Sequence, residues 1–297
     1  MGEPAGIGGE ITLKAWSQRH LGRTPFFAID DPRRLEKSAE LLGMDIPVRE
    51  IDSLENVANI FADGLPVLKI DLPKEPMPGT PDPENASAVS TSIETAVRLV
   101  ASGEAGAMVT NPIHKSTLYD AGFDFPGHTE YLGALAGMDT PPVMMLACDE
   151  LRVIPVTVHL SLSSAIAGLN TGIITQAGLI TANALKNDFA ITKPRLAVAG
   201  LNPHAGENSA MGSEETEIIA PAIEALREVG IDAFGPVAPD TLFTNRARES
   251  YDAALCMYHD QALIPIKAIA FETAVNVTLG LPFVRTSPDH GTAFDIA

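Results

Sequence analysis

Three histidines, His159, His204 and His259, each stand at the downstream end of an apolar, strand-like run: residues 152–159, 194–204 and 252–259. In an open α/β sheet, ligands collect outside the carboxyl ends of the strands. Three imidazoles at such ends suit one divalent metal and leave coordination positions open for a substrate. Gaps of dozens of residues are not a compact metal motif, so three unrelated loop histidines are the alternative reading of the spacing.

Other residues add to this chemistry. Gly127-His-Thr-Glu130 precedes a helical stretch. It reads either as an anion cradle at a helix N-terminus or as a plain cap, with Thr129 capping and His128 solvated. Lys267 ends the run Leu263-Ile-Pro-Ile-Lys, Asn276 interrupts an otherwise apolar strand over 274–279, and Arg285 follows Leu281-Pro-Phe-Val. Two cations and an amide in apolar company suit a phosphate or carboxylate, with internal ion pairing as the alternative. Asp240 and Asp260 are candidates to hold the second nitrogen of a metal-bound imidazole, although Asp240 also reads as a turn or cap residue. Two glycine-bearing loops lie near the chain ends. Gly2-Glu-Pro-Ala-Gly-Ile-Gly8 departs from G-x-G-x-x-G spacing, so no Rossmann fingerprint is present. The loop 286–295 is compact and polar; it reads as a holder for the adenosine half of a dinucleotide or as an ordinary turn.

The elements that must position these residues read as α/β. The chain has 297 residues and is 45% hydrophobic, enough for two domains or one large one. A formal net charge of −18 argues against general binding to nucleic acid or anionic membranes. Cys148 and Cys256 lie in apolar runs and read as thiols in a reducing compartment. No signal-peptide pattern and no apolar run long enough to span a bilayer is visible, so a soluble cytoplasmic protein is expected. Helices are expected over 10–21, 31–42, 85–102 and 213–229, a mostly helical stretch over 162–186, and strands over 25–29, 106–110, 195–200, 253–258 and 274–279. The proline-rich stretch 71–84 reads as an extended connection. Two apolar runs, 142–148 and 151–158, flank Asp149-Glu150 and suggest an antiparallel hairpin, hence a mixed sheet. The chain opens on a glycine loop with no strand before it and stops just after a similar loop, so both ends are expected to be trimmed relative to a complete α/β unit.

Taken as a set, the motifs resemble the 4-hydroxythreonine-4-phosphate dehydrogenase family of pyridoxal phosphate biosynthesis. They are Gly2-Glu-Pro-Ala-Gly-Ile-Gly8, Thr110-Asn-Pro-Ile-His-Lys115, Gly127-His-Thr-Glu130, Gly200-Leu-Asn-Pro-His-Ala-Gly-Glu207, Tyr258-His-Asp-Gln261, Val275-Asn-Val-Thr-Leu-Gly-Leu-Pro282 and Arg285-Thr-Ser-Pro-Asp-His-Gly-Thr292. The resemblance implies two α/β/α domains with a mixed sheet, like isocitrate and isopropylmalate dehydrogenases, and an active-site cleft between them. The expected division is 1–125 plus 280–297 for the cofactor side and 126–279 for the metal and dimerisation side. It also implies a homodimer with shared active sites. One divalent ion (zinc, cobalt, magnesium or similar) would be held by His159, His204 and His259, one of them from the partner. Asp240 and Asp260 match supporting aspartates. His128, Thr129, Lys267, Asn276 and Arg285 match substrate-anchoring residues. Asp289, His290, Gly291 and Thr292, with Asp295, match the loop for NAD or NADP. Asp240, Asp260 and Lys267 are the candidate catalytic residues; the proton acceptor stays open among Asp240, Lys267 and a metal-adjacent water.

The expected reaction is oxidation of a phosphorylated amino acid, 4-phosphohydroxy-L-threonine, at C3, followed by decarboxylation. A paralogue acting on another phosphorylated sugar acid or a cis-dihydrodiol shares the machinery. A metal-dependent phosphohydrolase is the rival from another class, disfavoured by the lack of a carboxylate-rich two-metal pattern. A non-catalytic metal-binding scaffold is disfavoured because so many polar residues interrupt apolar strands.

Overall fold

A computed structural model of the chain describes residues 1–22, 24–125 and 127–297. These residues form two compact units, Met1–Asp139 with Ser287–Ala297, and Thr140–Thr286. The expected boundaries, after residues 125 and 279, lie earlier in the chain than these. Aromatic packing explains the first boundary. Tyr131 stacks edge-on against Phe123 at 4.8 Å and donates to Glu94 Oε1 at 2.7 Å, which keeps its helix with the N-terminal residues.

The first unit contains α1 (Gly8–Ser17), β1 (Ala28–Asp30), α2 (Pro32–Leu41), β2 (Val48–Ile51), α3 (Val57–Asp63), β3 (Leu65–Lys69), α4 (Ala86–Ala101), β4 (Ala107–Val109), α5 (Lys115–Asp120) and α6 (His128–Leu135). Strands β1, β3 and β2 form a parallel sheet in that order. Leu13, Trp16, Leu35, Phe61, Leu65 and Val67 make its core. Asp31 caps α2 by accepting the Arg33 N–H, and Pro32 occupies the first helical position, where its missing donor costs nothing.

The second unit contains β5 (Val143–Ala147), β6 (Arg152–Pro155), α7 (Leu162–Gly168), α8 (Thr171–Asn187), β7 (Arg195–Ala199), α9 (Ala220–Glu228), β8 (Asp232–Val237), α10 (Pro239–Leu242), α11 (Asn245–Arg248), β9 (Ala253–Cys256), α12 (His259–Ala270) and β10 (Val275–Leu279). Strand β11 (Val284–Pro288) carries the chain back to the first unit. The strand order is β11-β10-β5-β6-β9-β7-β8. The hairpin β5–β6 is antiparallel, as is β10–β5, whereas β6–β9, β9–β7 and β7–β8 are parallel. The sheet is therefore mixed, as the sequence suggests.

Side chains alternate across this sheet with the period-2 geometry of a strand. Leu196 and Val198 of β7 face a cluster that includes Ile174 and Leu185 of α8 and Ile223 and Leu226 of α9. Ala197 and Ala199 face Leu263 and Ile266 of α12. Both faces are covered, which is why the parallel strands read as continuous apolar runs.

Residues 162–186 are mostly helical, as expected, in two helices bent by 91°. Asn170 leaves the helical path between them, and its Oδ1 caps α8 by accepting the Ile173 N–H. Two local expectations are corrected. The helix expected from 213 opens as a π-helical turn, Glu215–Ile219, before α9. The first strand lies at Ala28–Asp30 and leaves Pro25 outside the ladder. Among the described residues, no single helix is long and apolar enough to cross a membrane.

Candidate functional site

The topology of the second unit delivers the three histidines to one edge. Strands β6, β9 and β7 are parallel neighbours in that order, so the loops after Pro155, Cys256 and Ala199 leave the sheet at the same end. These are the loops that carry His159, His259 and His204. The His159 and His259 rings lie 5.8 Å apart, centroid to centroid. They share a cavity of about 230 Å³ with Thr157, Leu160, Leu162, Ala165, Tyr258 and Asp260. The Asp260 Oδ1 lies 2.7 Å from His259 Nδ1. An Nδ1–H that donates to this carboxylate leaves Nε2 with its lone pair outward, the arrangement a metal-binding imidazole needs.

His204 does not join this pair within one chain. It is exposed, and among the described residues no group of three or more His, Cys, Asp or Glu side chains is placed to hold a metal. Its backbone is unusual. His204, Ala205, Gly206, Glu207, Asn208 and Ser209 all have positive φ, between 41° and 75°. A left-handed conformation costs a non-glycine residue roughly 1–2 kcal/mol, so the surroundings must hold this turn. His159 is also left-handed, at φ 52°. Backbone of this kind concentrates where a side chain must be aimed.

Asp240 is exposed at the start of α10, which follows β8, the strand next to β7. Helix α10 packs against the His204 turn. Lys267 lies seven residues after Asp260 on α12, on the same face and about 10 Å along the axis. Its Nζ stands 5.8 Å above the Phe271 ring.

Asn276, Thr278 and Arg285 form a second polar group. Val277 and Leu279 point into the cluster under α8, so Asn276 and Thr278 point to the opposite face. Arg285 is 4% exposed and donates from Nη1 to Thr278 Oγ1 at 2.7 Å. Burial lowers the guanidinium pKa from its usual value to about 10, so it stays charged at neutral pH. The Asn276 Oδ1 is buried and has no hydrogen-bond partner among the described residues. A buried acceptor left unmet is costly, which suits a group that a ligand completes.

The remaining expected residues belong to the first unit. Helix α6 starts at His128, with Gly127 as its cap residue and no side-chain cap. The reading of Thr129 as the cap is therefore corrected: it sits inside the first turn, where its hydroxyl is available for other bonding. A Cβ on Gly127 would lie 3.3 Å from Lys115 Nζ, so a cation accompanies this helix start. The loop that carries Asp289, His290, Gly291, Thr292 and Asp295 packs on the first glycine loop. The Ile7 N–H donates to Thr292 O at 3.1 Å, and a Cβ on Gly6 would lie 2.7 Å from that oxygen. Next to it, the Phe294 ring meets His114 edge-on at 5.0 Å. His290 and Asp295 are exposed, and Gly291 has open space around it.

Sequence reasoning missed several residues that hold these loops. Glu3 is 5% exposed and accepts the Ala5 N–H inside the first glycine loop; burial raises its pKa. Arg34 and Asp30 form a buried bidentate pair at 2.9 and 2.6 Å beside it. In the second unit, Gln261 donates to Gly200 O at 2.7 Å, and Glu215 is 4% exposed. The π-helical start before α9 places Glu215, a signal that is tertiary and not visible as periodicity.

The model of the family described as pyridoxal phosphate biosynthetic protein PdxA matches residues 23–297. A 4-hydroxythreonine-4-phosphate dehydrogenase from Bradyrhizobium diazoefficiens is 50% identical over 309 residues, covering 100% of this chain and 89% of the relative. The crystal structure of 4-hydroxythreonine-4-phosphate dehydrogenase from Klebsiella pneumoniae superposes with a TM-score of 0.90 at 37% identity, over 100% of this chain and 90% of that one. A terephthalate 1,2-cis-dihydrodiol dehydrogenase from Burkholderia xenovorans is more distant, with a TM-score of 0.66 at 26% identity over 100% and 90% of the two chains.

Proposed function

Because this chain belongs to the PdxA family of pyridoxal phosphate biosynthetic proteins and is a dehydrogenase, we propose that it oxidises 4-phosphohydroxy-L-threonine at C3 with NAD or NADP and a divalent metal. The 3-keto acid then loses CO₂ to give 3-amino-2-oxopropyl phosphate. The observation that carries this reading is the pair of imidazoles, His159 and His259, 5.8 Å apart over one cavity at the ends of parallel strands.

The donor set fits a divalent ion of the zinc or cobalt type, since neutral imidazoles are its common ligands. His159, His204 and His259 would hold it, with one of the three supplied by a second copy in a cytoplasmic homodimer. When bound, such an ion supplies Lewis acidity that lowers the pKa of the C3 hydroxyl. Asp260 holds the His259 ring in the tautomer that presents Nε2. Arg285 and Lys267 supply positive charge for the anionic substrate, and Asn276 Oδ1 supplies an acceptor for its ammonium or hydroxyl hydrogens. His128 and Thr129, at the start of α6, are further substrate anchors. Asp240 and Lys267 are the side chains proposed to take the C3 hydroxyl proton. The loop from Asp289 to Thr292, with Asp295, is proposed for the dinucleotide, and the open space at Gly291 suits close approach of a ligand to the backbone.

A second reading, a paralogue acting on an unphosphorylated ring diol, draws on the likeness to the cis-dihydrodiol dehydrogenase. Purified protein assayed with 4-phosphohydroxy-L-threonine, a phosphorylated sugar acid and a cis-dihydrodiol separates the two. Reduced nicotinamide is expected with the first substrate. Turnover of the cis-dihydrodiol alone overturns the phosphorylated substrate, and phosphate release without reduced nicotinamide overturns the dehydrogenase.

A further inference from the structure

One buried carboxylate holds the turn that carries His204. Glu215 Oε1 accepts the Leu201 and Asn202 N–H groups, both at 2.7 Å, and its Oε2 accepts from Asn202 Nδ2 at 3.0 Å. The same Oε2 lies 2.6 Å from where a Cβ on Gly206 would sit, so the carboxylate occupies the space that a side chain at 206 would need. On the other side of the turn, Gln261 Nε2 donates to Gly200 O at 2.7 Å, and Gln261 Oε1 accepts the Met257 N–H at 2.6 Å. Thr157 Oγ1 in turn donates to Met257 O at 2.8 Å. A continuous line of hydrogen bonds thus links the three histidine loops and ends on Glu215.

We propose that Glu215 is the positioning residue of His204: its carboxylate fixes the left-handed turn in the conformation that presents the imidazole to a divalent ion. The proposal rests on the reading of His204 as a metal ligand. Glu215 touches neither ion nor substrate and acts through the backbone of residues 201 and 202. An ionised carboxylate is acceptor-only and matches the three donors that converge on it. Glutamine at this place can accept the two backbone N–H groups but must turn its own N–H₂ toward Asn202 Nδ2. Alanine leaves the Leu201 and Asn202 N–H groups unmet, while Asn202 Nδ2 keeps its bond to Glu214 Oε2 at 2.7 Å.

The test is calorimetric titration of the metal-stripped 297-residue chain with Co²⁺, together with its visible absorption and melting temperature. The variants are His204→Ala, Glu215→Ala, Glu215→Gln and Leu226→Ala; the last truncates a fully buried side chain on α9 without touching the histidine loops. Loss of a group that orients a ligand costs about 10–100-fold in metal affinity, and Glu215→Ala is expected to show it. Glu215→Gln is expected to lose less and to keep a wild-type melting temperature. Leu226→Ala is expected to melt lower yet bind Co²⁺ as wild type does. Wild-type affinity in both Glu215 variants overturns the proposal, as does an equal loss in Leu226→Ala. If Glu215→Ala does not fold, Glu215→Gln decides, and wild-type affinity there overturns it. If the wild type binds no Co²⁺, or His204→Ala binds it as tightly, the metal reading itself fails and the proposal falls with it.

Discussion

The two units hold their candidate residues by different means. In the second, His159, His204 and His259 follow parallel strands whose side chains are packed on both faces. The sheet fixes where each loop starts. Gln261 bonds the loops that carry His204 and His259, Glu215 accepts from the His204 loop, and Thr157 ties the His159 loop to Met257 O. In the first, the parallel sheet has only three strands. The loop 289–295 is held there by backbone close to backbone, with Gly6 against Thr292 and Gly79 against Phe294. Strand ends can present imidazoles with little tolerance for movement, whereas glycine loops can approach a ligand with main-chain groups. The chemistry expected of each unit, metal binding in one and dinucleotide binding in the other, follows that difference.

The largest effect should come from the strand-end pair. His259→Ala is expected to lower kcat/KM by about 10³-fold or more, because several kcal/mol of charge stabilisation would depend on the ion it is proposed to hold. Steady-state kinetics at saturating metal check this, and an unchanged melting temperature shows that the loss is chemical. Arg285→Ala should act on binding: KM for the phosphorylated substrate is expected to rise about 10–100-fold, the worth of hydrogen bonds to a charged group, with kcat falling less. The lowered pKa of Arg285, about 10, gives this a pH signature. Substrate affinity should weaken as the pH rises through that value, and Arg285→Ala should remove that limb.

The glycine-loop side predicts a stability effect. Gly6→Ala places a methyl 2.7 Å from Thr292 O, which neither backbone can relieve cheaply. It is expected to cost about 1–3 kcal/mol, measured by urea denaturation, and to weaken NAD(P) binding while leaving Co²⁺ affinity alone. The reverse pattern would break the division of labour between the units.

The smallest effect is electrostatic. Burial raises the Asp252 pKa, but Asp252 accepts from the Arg195 backbone and guanidinium, and these bonds outweigh burial and leave it below the usual value. A depressed carboxylate pKa stabilises the fold above the unfolded pKa of 3.8, and this is lost as pH falls below it. The pair is partly exposed, so Asp252→Asn should cost no more than about 1 kcal/mol at neutral pH. The gap between variant and wild-type melting temperatures should close in acid.

Much of the second unit was legible in the sequence because its strands are continuous apolar runs: β7, β9, β10 and the β5–β6 hairpin all fall within the expected stretches. The histidines could be placed at strand ends for the same reason. Strands β2 and β3 were not read: Val48–Ile51 has two charged residues in four positions, and Leu65–Lys69 carries a proline, so neither shows clean alternation. The holding residues were also hidden. Glu3, Asp30, Arg34 and Glu215 are buried charged side chains, and nothing in periodicity distinguishes a buried carboxylate from a solvated one. The left-handed turn at 204–209 has one glycine in six residues, too few to signal a left-handed segment. That His159 and His259 meet while His204 stays apart depends on loop conformations that strand patterns do not encode.

The central claim is that the strand-end histidines hold a metal that the oxidation requires. It is tested most directly by chelator treatment of the wild type and His159→Ala, followed by stepwise return of Co²⁺ or Zn²⁺, with reduced nicotinamide and bound metal followed together. Activity in the wild type should vanish with the metal and return with it at one ion per active site, and His159→Ala should regain neither. Full activity in metal-free wild type, or recovery in His159→Ala at wild-type metal concentration, would contradict the account.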